Sequence, residues 1–491
     1  MTQKPISSEQ GPDAPSDGSP HTRLWLRDLA LWSAIFAGVA ALLMLVIDHE
    51  PGGVYTRLQN LAAWFGGGPK PEVVTYPMWG LGVVLWLTQS PALTAALQVA
   101  ASSVAAAALM LRFRREMPAN KVPLAVLFIL CMPWYYMVIL PYANGFAQAF
   151  MVLALLAAER AWRLDSLGTA IASGILFGIG QNFRSELVLL PGFCLVMMTV
   201  LRRTPRWRSL KIFGAMTAVA LLFQLPWALH FYRETGHPKL TESTGWAVMY
   251  GALGQLPDNP WQIEAQDAFL DEVVQSEGYT FSGLSEEAGV VFKRRYFEAI
   301  KAHPTAVPRV WAHRIKSMFK APFYSGHIAL DEDEKVGLDV VRERFKLKLG
   351  IGANQREIKA YRDSGAWDKP ASLRQNAAFA YELGSQAALI LFFLAVLAGI
   401  ALTLRAGRVW RGESIVLALT LCPIAFKLLL GVFLTYRHDY LNSISVFCIP
   451  FALVAFSRVK ALRRNTAVSD HSGFAPQQRP TVTSVNPNVA G

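Results

Sequence analysis

The stretch DLALWSAIFAGVAALLMLVIDHE (28–50) decides the fold class of this chain. From Leu29 to Ile47 it carries no charge, and two carboxylates, Asp48 and Glu50, then end the run. A helix rises about 1.5 Å per residue, so an apolar run of this length can cross about 30 Å of hydrocarbon. The stretch therefore predicts a membrane-spanning helix that ends at a small cluster of acids.

The composition indicates that this run is one of several. Of 491 residues, 53% are hydrophobic and 17% are charged, against about 25% charged in soluble domains, and the mean hydropathy is +0.29. The net charge of +12 comes largely from Lys and Arg clusters beside apolar runs. It therefore indicates membrane topology and argues against nucleic acid as a partner.

Ten apolar runs are long enough to be counted as spans: 28–47, 92–112, 123–140, 144–162, 167–182, 186–201, 210–230, 384–404, 414–434 and 441–457. The shorter run TYPMWGLGVVLWL (75–87) is more typical of an interfacial helix. The fold class predicted is an all-α polytopic membrane protein of about ten transmembrane helices, with a mostly helical extracytoplasmic domain.

Basic clusters fall at alternate connectors, at 112–121, 159–163, 202–211, 405–411 and 457–464, and before the first span. By the positive-inside rule both termini are cytoplasmic. The first twenty residues have no hydrophobic core, which predicts no cleavable signal peptide. Together these features predict a multi-pass protein of a bacterial plasma (inner) membrane.

The predicted organisation has five segments. They are a disordered cytoplasmic tail (1–26), an N-terminal bundle (27–230) with a first outer loop (48–91), an extracytoplasmic and mainly helical domain (231–383), C-terminal spans (384–460) and a second disordered tail (461–491). All four cysteines lie in apolar runs, which predicts core positions rather than disulfides or metal ligands.

Charged residues concentrate at the outer ends of the predicted spans. Carboxylates are almost missing from the central thirds of these spans, whereas the outer ends carry Asp48, Glu50, Arg184, Glu186, Arg233, Arg437, His438 and Asp439, with Lys427 about two turns inside. A proton- or ion-coupled transporter would normally place such groups at the midplane. The distribution favours chemistry where lipid meets the outer compartment.

Several short motifs follow one another over most of the chain, from about 28 to 460. They begin with an acid after the first span (Asp48) followed by Tyr55, a Tyr76-Pro77 pair, and NFRSELVLLP (182–191). HFYRETGHPKLTESTGWAVMYG (230–251), YFEAIKAHPTAVPRVWAHRIKSMF (296–319) and YRHDY (436–440) continue the series. In their order and topology these motifs resemble the GT-C superfamily of membrane glycosyltransferases, in particular the family 39 group of protein O-mannosyltransferases and aminoarabinose transferases.

The resemblance implies an inverting transfer of a sugar from a polyprenyl-phosphate carrier to a glycan, lipid or protein acceptor at the outer face. Such a transfer needs a carboxylate base, which we assign to Asp48 with Glu50 beside it. Arg184, Arg437, Lys427 and Arg233 are candidates for the donor phosphate, since fixed cations stabilise a phosphate leaving group. Tyr55, Tyr76, Trp246 and Tyr250 are candidates for sugar or acceptor binding. The sequence identifies no cofactor, although Asp48, Glu50 and His438 could hold a divalent metal.

The sequence departs from the family pattern at two places. Asp48 and Tyr55 are seven residues apart, with PGG (51–53) between them, and Gln148 occupies a position where relatives often have Glu.

Each group of candidate residues also has a purely structural explanation. Asp48 and Glu50 could mark only a helix end, Arg184 and Glu186 could form a structural ion pair, and the aromatic residues could form an interfacial belt. A lipid-oligosaccharide flippase and a non-catalytic component of envelope polysaccharide assembly are the alternative functions.

Overall fold

The computed structural model describes residues 20–46, 60, 62–63, 66–68, 79–117, 120–139, 144–201, 206–235, 245–265, 267–285, 287–320, 332–349, 355–405, 415–433, 444–454 and 457. Every regular element in these residues is a helix, and no strand occurs among them. The α-helical class predicted from the sequence is confirmed.

The α-helices are α1 (Pro20–Val46), α2 (Trp79–Thr88), α3 (Pro91–Glu116), α4 (Lys121–Ile129), α5 (Met132–Ile139), α6 (Asn144–Leu164), α7 (Leu167–Gln181), α8 (Leu190–Leu201), α9 (Arg206–Ser209), α10 (Ala215–Leu222), α11 (Leu225–Thr235), α12 (Gly245–Gly251), α13 (Asp267–Ser276), α14 (Ala288–Ala302), α15 (Ala306–Lys320), α16 (Glu332–Leu349), α17 (Gln355–Asp363), α18 (Leu373–Arg405), α19 (Ile415–Phe433) and α20 (444–454). Short 3₁₀ segments cover Ser185–Leu189, Ala252–Gln255 and Ala366–Asp368, and a π segment covers Leu210–Gly214.

Local sequence explains where α3 begins and ends and where α7 begins. Ser90 accepts a hydrogen bond from the Leu93 N–H, and Pro91 follows at the first helical position of α3. Both features are typical of helix N-termini. Arg114 and Arg115 lie in the last turn of the same helix, where cations interact well with the helix dipole. Ser166 caps α7 in the same way, through the Thr169 N–H.

The main core lies among α1, α3, α6, α7, α8 and α19, which pack side by side. A small residue lies at the contact of α3 with α6, because a Cβ at Gly145 would lie only 2.5 Å from the Gln98 side chain. The buried Ser102 hydroxyl also donates to the Gly145 carbonyl at 3.0 Å. Close backbone approach through small residues and polar side chains is typical of helices that associate in lipid.

Two of the predicted spans are interrupted. The run 123–140 divides into α4 and α5 at Leu130 and Cys131, and the run 210–230 contains the π segment and a turn at Phe223 and Gln224. Both interruptions lie two residues before a proline, Pro133 or Pro226. Proline has no N–H to continue the helical ladder and its ring clashes with the preceding turn, which explains both breaks.

Within the described part of the chain, two helices are long and apolar enough to cross a membrane by length and composition, over Thr22–Met44 and Pro91–Glu116. Shorter apolar helices cover Leu167–Gln181, Leu187–Val200, Leu417–Phe433 and Ile444–Val454. The presence of about ten spans stays a prediction. The four cysteines are free and buried, so their assignment to core positions is confirmed.

A second hydrophobic core lies within residues 245–320, which we call the inserted helical unit. Ala247, Leu253, Leu270, Val274 and Phe292 bring α12, α13 and α14 together. The spacing of apolar residues over 264–275, 290–304 and 306–319 predicts three helices, and α13, α14 and α15 confirm them. Helix α14 ends at Ala302, just before Pro304. The predicted limits of the extracytoplasmic domain, 231 and 383, are not tested by this core.

A buried carboxylate joins α6 to α3 at the end of the bundle that carries the basic connectors. Glu159 is 1% exposed and accepts hydrogen bonds from Arg112 at 2.7 and 3.2 Å. The Arg163 Nε lies 2.6 Å from the same carboxylate, and Arg112 also reaches Glu116 at 2.7 Å. A charge this deep is tolerated because two cations surround it.

We expect Glu159→Gln to destabilise the protein by about 2 kcal/mol. The variant loses the charge-assisted hydrogen bonds of the carboxylate, and Arg112 and Arg163 lose the negative charge that lies between them. The readout is thermal unfolding of the full chain in detergent. Glu298→Gln, at an exposed ion pair, is the matched control and should change little. Equal stability of the two variants would contradict the role given to Glu159.

Candidate functional site

The turn after α7 holds Arg184, the first of the predicted phosphate-binding residues. Phe183 is 4% exposed and stacks on Phe146 and Phe150 of α6, with ring centroids 5.0 and 5.8 Å apart. Arg184 follows in an extended conformation, half-buried, and its carbonyl accepts the Leu187 N–H that starts the 3₁₀ segment. The buried phenylalanine thus fixes the backbone that presents the guanidinium.

The same turn is attached to the beginning of α2. The Gly80 N–H donates to the Asn182 carbonyl at 2.8 Å, and a Cβ at Gly80 would lie 2.8 Å from that oxygen and 3.1 Å from the Phe183 ring. Only glycine permits this approach. The described end of the predicted outer loop 48–91 is therefore held against the Arg184 turn.

Replacing Gly80 with alanine should push α2 from the turn and cost about 1–3 kcal/mol, as overpacking at a tight contact does. Hydrogen exchange should rise in peptides covering 79–88 and 182–190. Gly38, which also lies inside a helix but has no atom within 4 Å of a Cβ position, supplies the control variant Gly38→Ala. Unchanged exchange at both peptides in Gly80→Ala would show that the contact does not hold α2 in place.

Lys427 lies in α19 and is 4% exposed. The neighbouring Phe426 packs on Phe193 in the first turn of α8, with ring centroids 5.5 Å apart. The 3₁₀ segment that begins after Arg184 leads directly into α8. The start of α8 is therefore linked to the Arg184 turn and also contacts α19 beside Lys427. Two of the predicted phosphate ligands thus lie on elements that meet at the start of α8.

Arg314 is a buried cation that sequence reasoning did not single out. It lies on α15, is 2% exposed, and donates from Nε to Gln255 Oε1 at 2.9 Å, from one terminal nitrogen to the Ala252 carbonyl at 2.8 Å, and from the other to the Val432 carbonyl at 3.0 Å. Among the described residues no carboxylate pairs with it. Its three partners are all neutral oxygens.

The Val432 contact connects the inserted helical unit to the last turn of α19. Carbonyls in the last turn of a helix have no partner within the helix, and the helix dipole makes that end negative. Arg314 supplies both a donor and a positive charge there. Trp311 packs edge-to-face on Phe433 at 5.0 Å beside it, so an aromatic contact shields the junction.

Burial lowers the pKa of Arg314 to about 10, although the nearby Tyr296 acts in the opposite direction. The side chain is still a cation at neutral pH. The lowered pKa reflects the free-energy cost of removing a guanidinium from water. A cation kept in this position at such a cost, without a carboxylate partner among the described residues, leaves a net positive charge at the junction of the unit with α19.

Trp246 and Tyr250 lie in the core of the inserted helical unit. Tyr250 is 8% exposed and packs on Phe292 at 5.4 Å, and burial raises the pKa of its hydroxyl. Trp246 is half-buried against Tyr296 and Phe297, at 5.9 and 5.6 Å. These packing contacts account for the burial of both side chains, and their use in sugar binding stays a prediction.

Arg233, another of the predicted phosphate-binding residues, is exposed in the last turn of α11.

The remaining predicted site residues lie outside the described residues: Asp48, Glu50, Tyr55, Tyr76, Arg437 and His438. Their roles, and the metal that three of them could hold, stay predictions. In the part of the chain that the structure does describe, no group of three or more His, Cys, Asp or Glu side chains could hold a metal ion.

A sequence signal for Arg314 was present. Ala306, Val310 and Arg314 are spaced four apart, so they share one face of α15, and all three are buried. An arginine that continues the apolar face of an amphipathic helix is unusual and indicates a buried role. Its partner Val432, 118 residues away, could not be deduced from spacing.

No family model, curated protein or solved structure matches this chain.

Proposed function

We propose that this chain is a polytopic membrane glycosyltransferase that moves a sugar from a polyprenyl-phosphate carrier to an acceptor at the outer face of a bacterial plasma membrane. In this proposal both termini are cytoplasmic, and the inserted helical unit is extracytoplasmic. The observation that carries the proposal is the attachment of the Arg184 turn to the start of α2 through Gly80 and Asn182. It attaches the described end of the first outer loop, whose acids lie at its other end, to the turn that carries the half-buried Arg184.

The proposed reaction is a single displacement at the anomeric carbon. The acceptor hydroxyl oxygen forms a bond to that carbon while the bond from the carbon to the carrier phosphate oxygen breaks, and the configuration inverts. The hydroxyl proton passes to the Asp48 carboxylate. The polyprenyl phosphate leaves with the bonding electron pair, and the cations near the start of α8, Arg184 first and Lys427 second, stabilise its added charge.

The direct test is sugar transfer by the purified full chain in vesicles. Membrane lipid extract carrying a radiolabelled sugar on its polyprenyl phosphate is added to the outer face, and label is followed into glycolipid, polysaccharide and protein fractions. Appearance of label in one of these fractions, with release of unlabelled polyprenyl phosphate, is the expected result. Intact donor after incubation with correctly inserted protein would contradict the proposal.

A flippase is the second candidate, because one observation favours it. Lys427 is buried in α19 one turn after Pro423, which lies inside that helix. Buried charges and interrupted helices mark transport pathways in many membrane proteins. The vesicle assay separates the two functions, since a flippase would move labelled donor to the opposite leaflet without breaking the bond between sugar and phosphate.

A further inference from the structure

A cleft lies at the opposite end of the bundle from the Arg184 turn, between the start of α1, the end of α3 and the start of α4. Its volume is about 480 Å³, and it is lined by Leu24, Trp25, Asp28, Leu111, Arg114, Arg115 and Lys121. The lining combines three cations and one carboxylate with an apolar floor. None of these residues belongs to the proposed transfer site.

The charges of the cleft are unbalanced. Asp28 lies 3.8 Å from Arg114 and 3.9 Å from Arg27, so its charge is already shared between two cations. Arg115 and Lys121 are exposed and form no ion pair with any residue that the structure describes. The cleft therefore presents positive charge to a ligand, and guanidinium and ammonium groups suit a phosphate.

An apolar path leads away from the cleft along α1. Leu24, Leu31 and Leu42 are 50%, 56% and 65% exposed, and their spacing of seven and eleven residues places them on one stripe of a helix with 3.6 residues per turn. Eighteen residues from Leu24 to Leu42 correspond to about 27 Å, close to the thickness of bilayer hydrocarbon. A ligand with a charged head at the cleft could place an acyl chain along this stripe.

We infer that the cleft binds an anionic phospholipid of the cytoplasmic leaflet, with its phosphodiester at Arg115 and Lys121, its glycerol region over Trp25 and an acyl chain along Leu24, Leu31 and Leu42. The inference rests on the membrane placement in the proposed function and not on glycosyl transfer. Free inorganic phosphate would use the cations but has no use for the apolar stripe. A zwitterionic phospholipid would also contact the apolar stripe. Its head group carries a positive charge, which the cations of the cleft would repel, so it should bind more weakly.

The test is native mass spectrometry of the full chain in detergent, titrated with phosphatidylglycerol, phosphatidylcholine or inorganic phosphate. We expect phosphatidylglycerol to bind best, and the double variant Arg115→Gln/Lys121→Gln to bind it at least roughly tenfold more weakly, given the attraction that each cation adds near anionic lipid. The matched control is Arg160→Gln/Arg405→Gln, which removes two exposed cations elsewhere at the same side and should keep wild-type binding.

Three outcomes would overturn the inference. Equal loss in the control would show a general charge effect, equal binding of phosphatidylcholine would show that the cations are not used, and competition by millimolar phosphate would show a free-anion site. Because Arg115 and Lys121 are exposed, the variant should fold, which unchanged thermal unfolding without added lipid checks. If the wild-type chain bound phosphatidylglycerol but transferred no sugar, only the proposed function would be contradicted. If the chain were recovered from the soluble fraction, the membrane placement itself would be contradicted.

Discussion

Asp48→Asn should lower sugar transfer by roughly 10²–10⁴-fold, the contribution usual for a general base. An alcohol is a weak nucleophile at neutral pH, and asparagine cannot accept the proton that the acceptor hydroxyl releases as the new bond forms. The apparent KM for the donor should change little, because the amide keeps the size of the carboxylate and the phosphate is bound by other groups. The measurement is initial-rate transfer of radiolabelled sugar in vesicles.

Two further variants make that result specific. Glu50→Gln changes the neighbouring acid and should keep most of the activity, which separates the two carboxylates at the end of the first apolar run. Asp258→Asn changes an exposed acid in the inserted helical unit and should have no effect. Transfer by Asp48→Asn at the wild-type rate, with equal amounts of inserted protein, would remove Asp48 from the mechanism.

Arg314→Ala should destabilise the protein by about 3 kcal/mol. The variant loses charge-assisted hydrogen bonds to Gln255, Ala252 and Val432, each worth about 1.5–3 kcal/mol, and it leaves buried acceptors without a donor. The opposing term is the recovered cost of burying the cation, since burial lowers the pKa of Arg314 to about 10. This cost is about 3 kcal/mol. The three lost bonds exceed that recovery, so destabilisation wins.

The destabilisation should be greatest at the junction between the inserted helical unit and α19. Hydrogen exchange is expected to rise in peptides covering 252–255 and 429–433, on both sides of the junction, while thermal unfolding in detergent shifts to lower temperature. Arg309 lies on the same helix and is exposed, so Arg309→Ala is the matched control. Arg314→Lys keeps the charge but cannot reach three acceptors at once, and we expect intermediate stability. If Arg314→Ala and Arg309→Ala unfolded alike, the junction would contribute nothing to stability.

The helical content of this protein was accessible from sequence because long apolar runs and their caps are local signals. Ser90 and Ser166 lie directly before α3 and α7, and each caps its helix, a role for which serine is strongly preferred. The interruption at Cys131 was missed because apolar residues continue through it without a polar signal. Pro133, two residues later, carried the information, since a proline forbids one hydrogen bond of the helical ladder.

The candidate site was less accessible, since its contacts join residues far apart in the chain. Arg184 was predicted from its position at the end of a span, but nothing in TYPMWGLG (75–82) indicated that Gly80 contacts Asn182 about a hundred residues later. Arg314 was not singled out from the sequence. Only the packing of α15 against α19 gives its position on the apolar face a physical reason.

The hydrogen bond from Arg314 to the Val432 carbonyl has a consequence for protein engineering. A domain that is joined to its neighbours only by linkers can be exchanged between homologous chains. The inserted helical unit has a further connection, because Arg314 of α15 caps the end of α19. Helix α19 begins more than a hundred residues after α15 begins. Deleting or grafting residues 245–320 would leave the end of α19 without its cap and remove the Trp311 ring that packs on Phe433. Chimeras of this protein should therefore exchange α15 and α19 together.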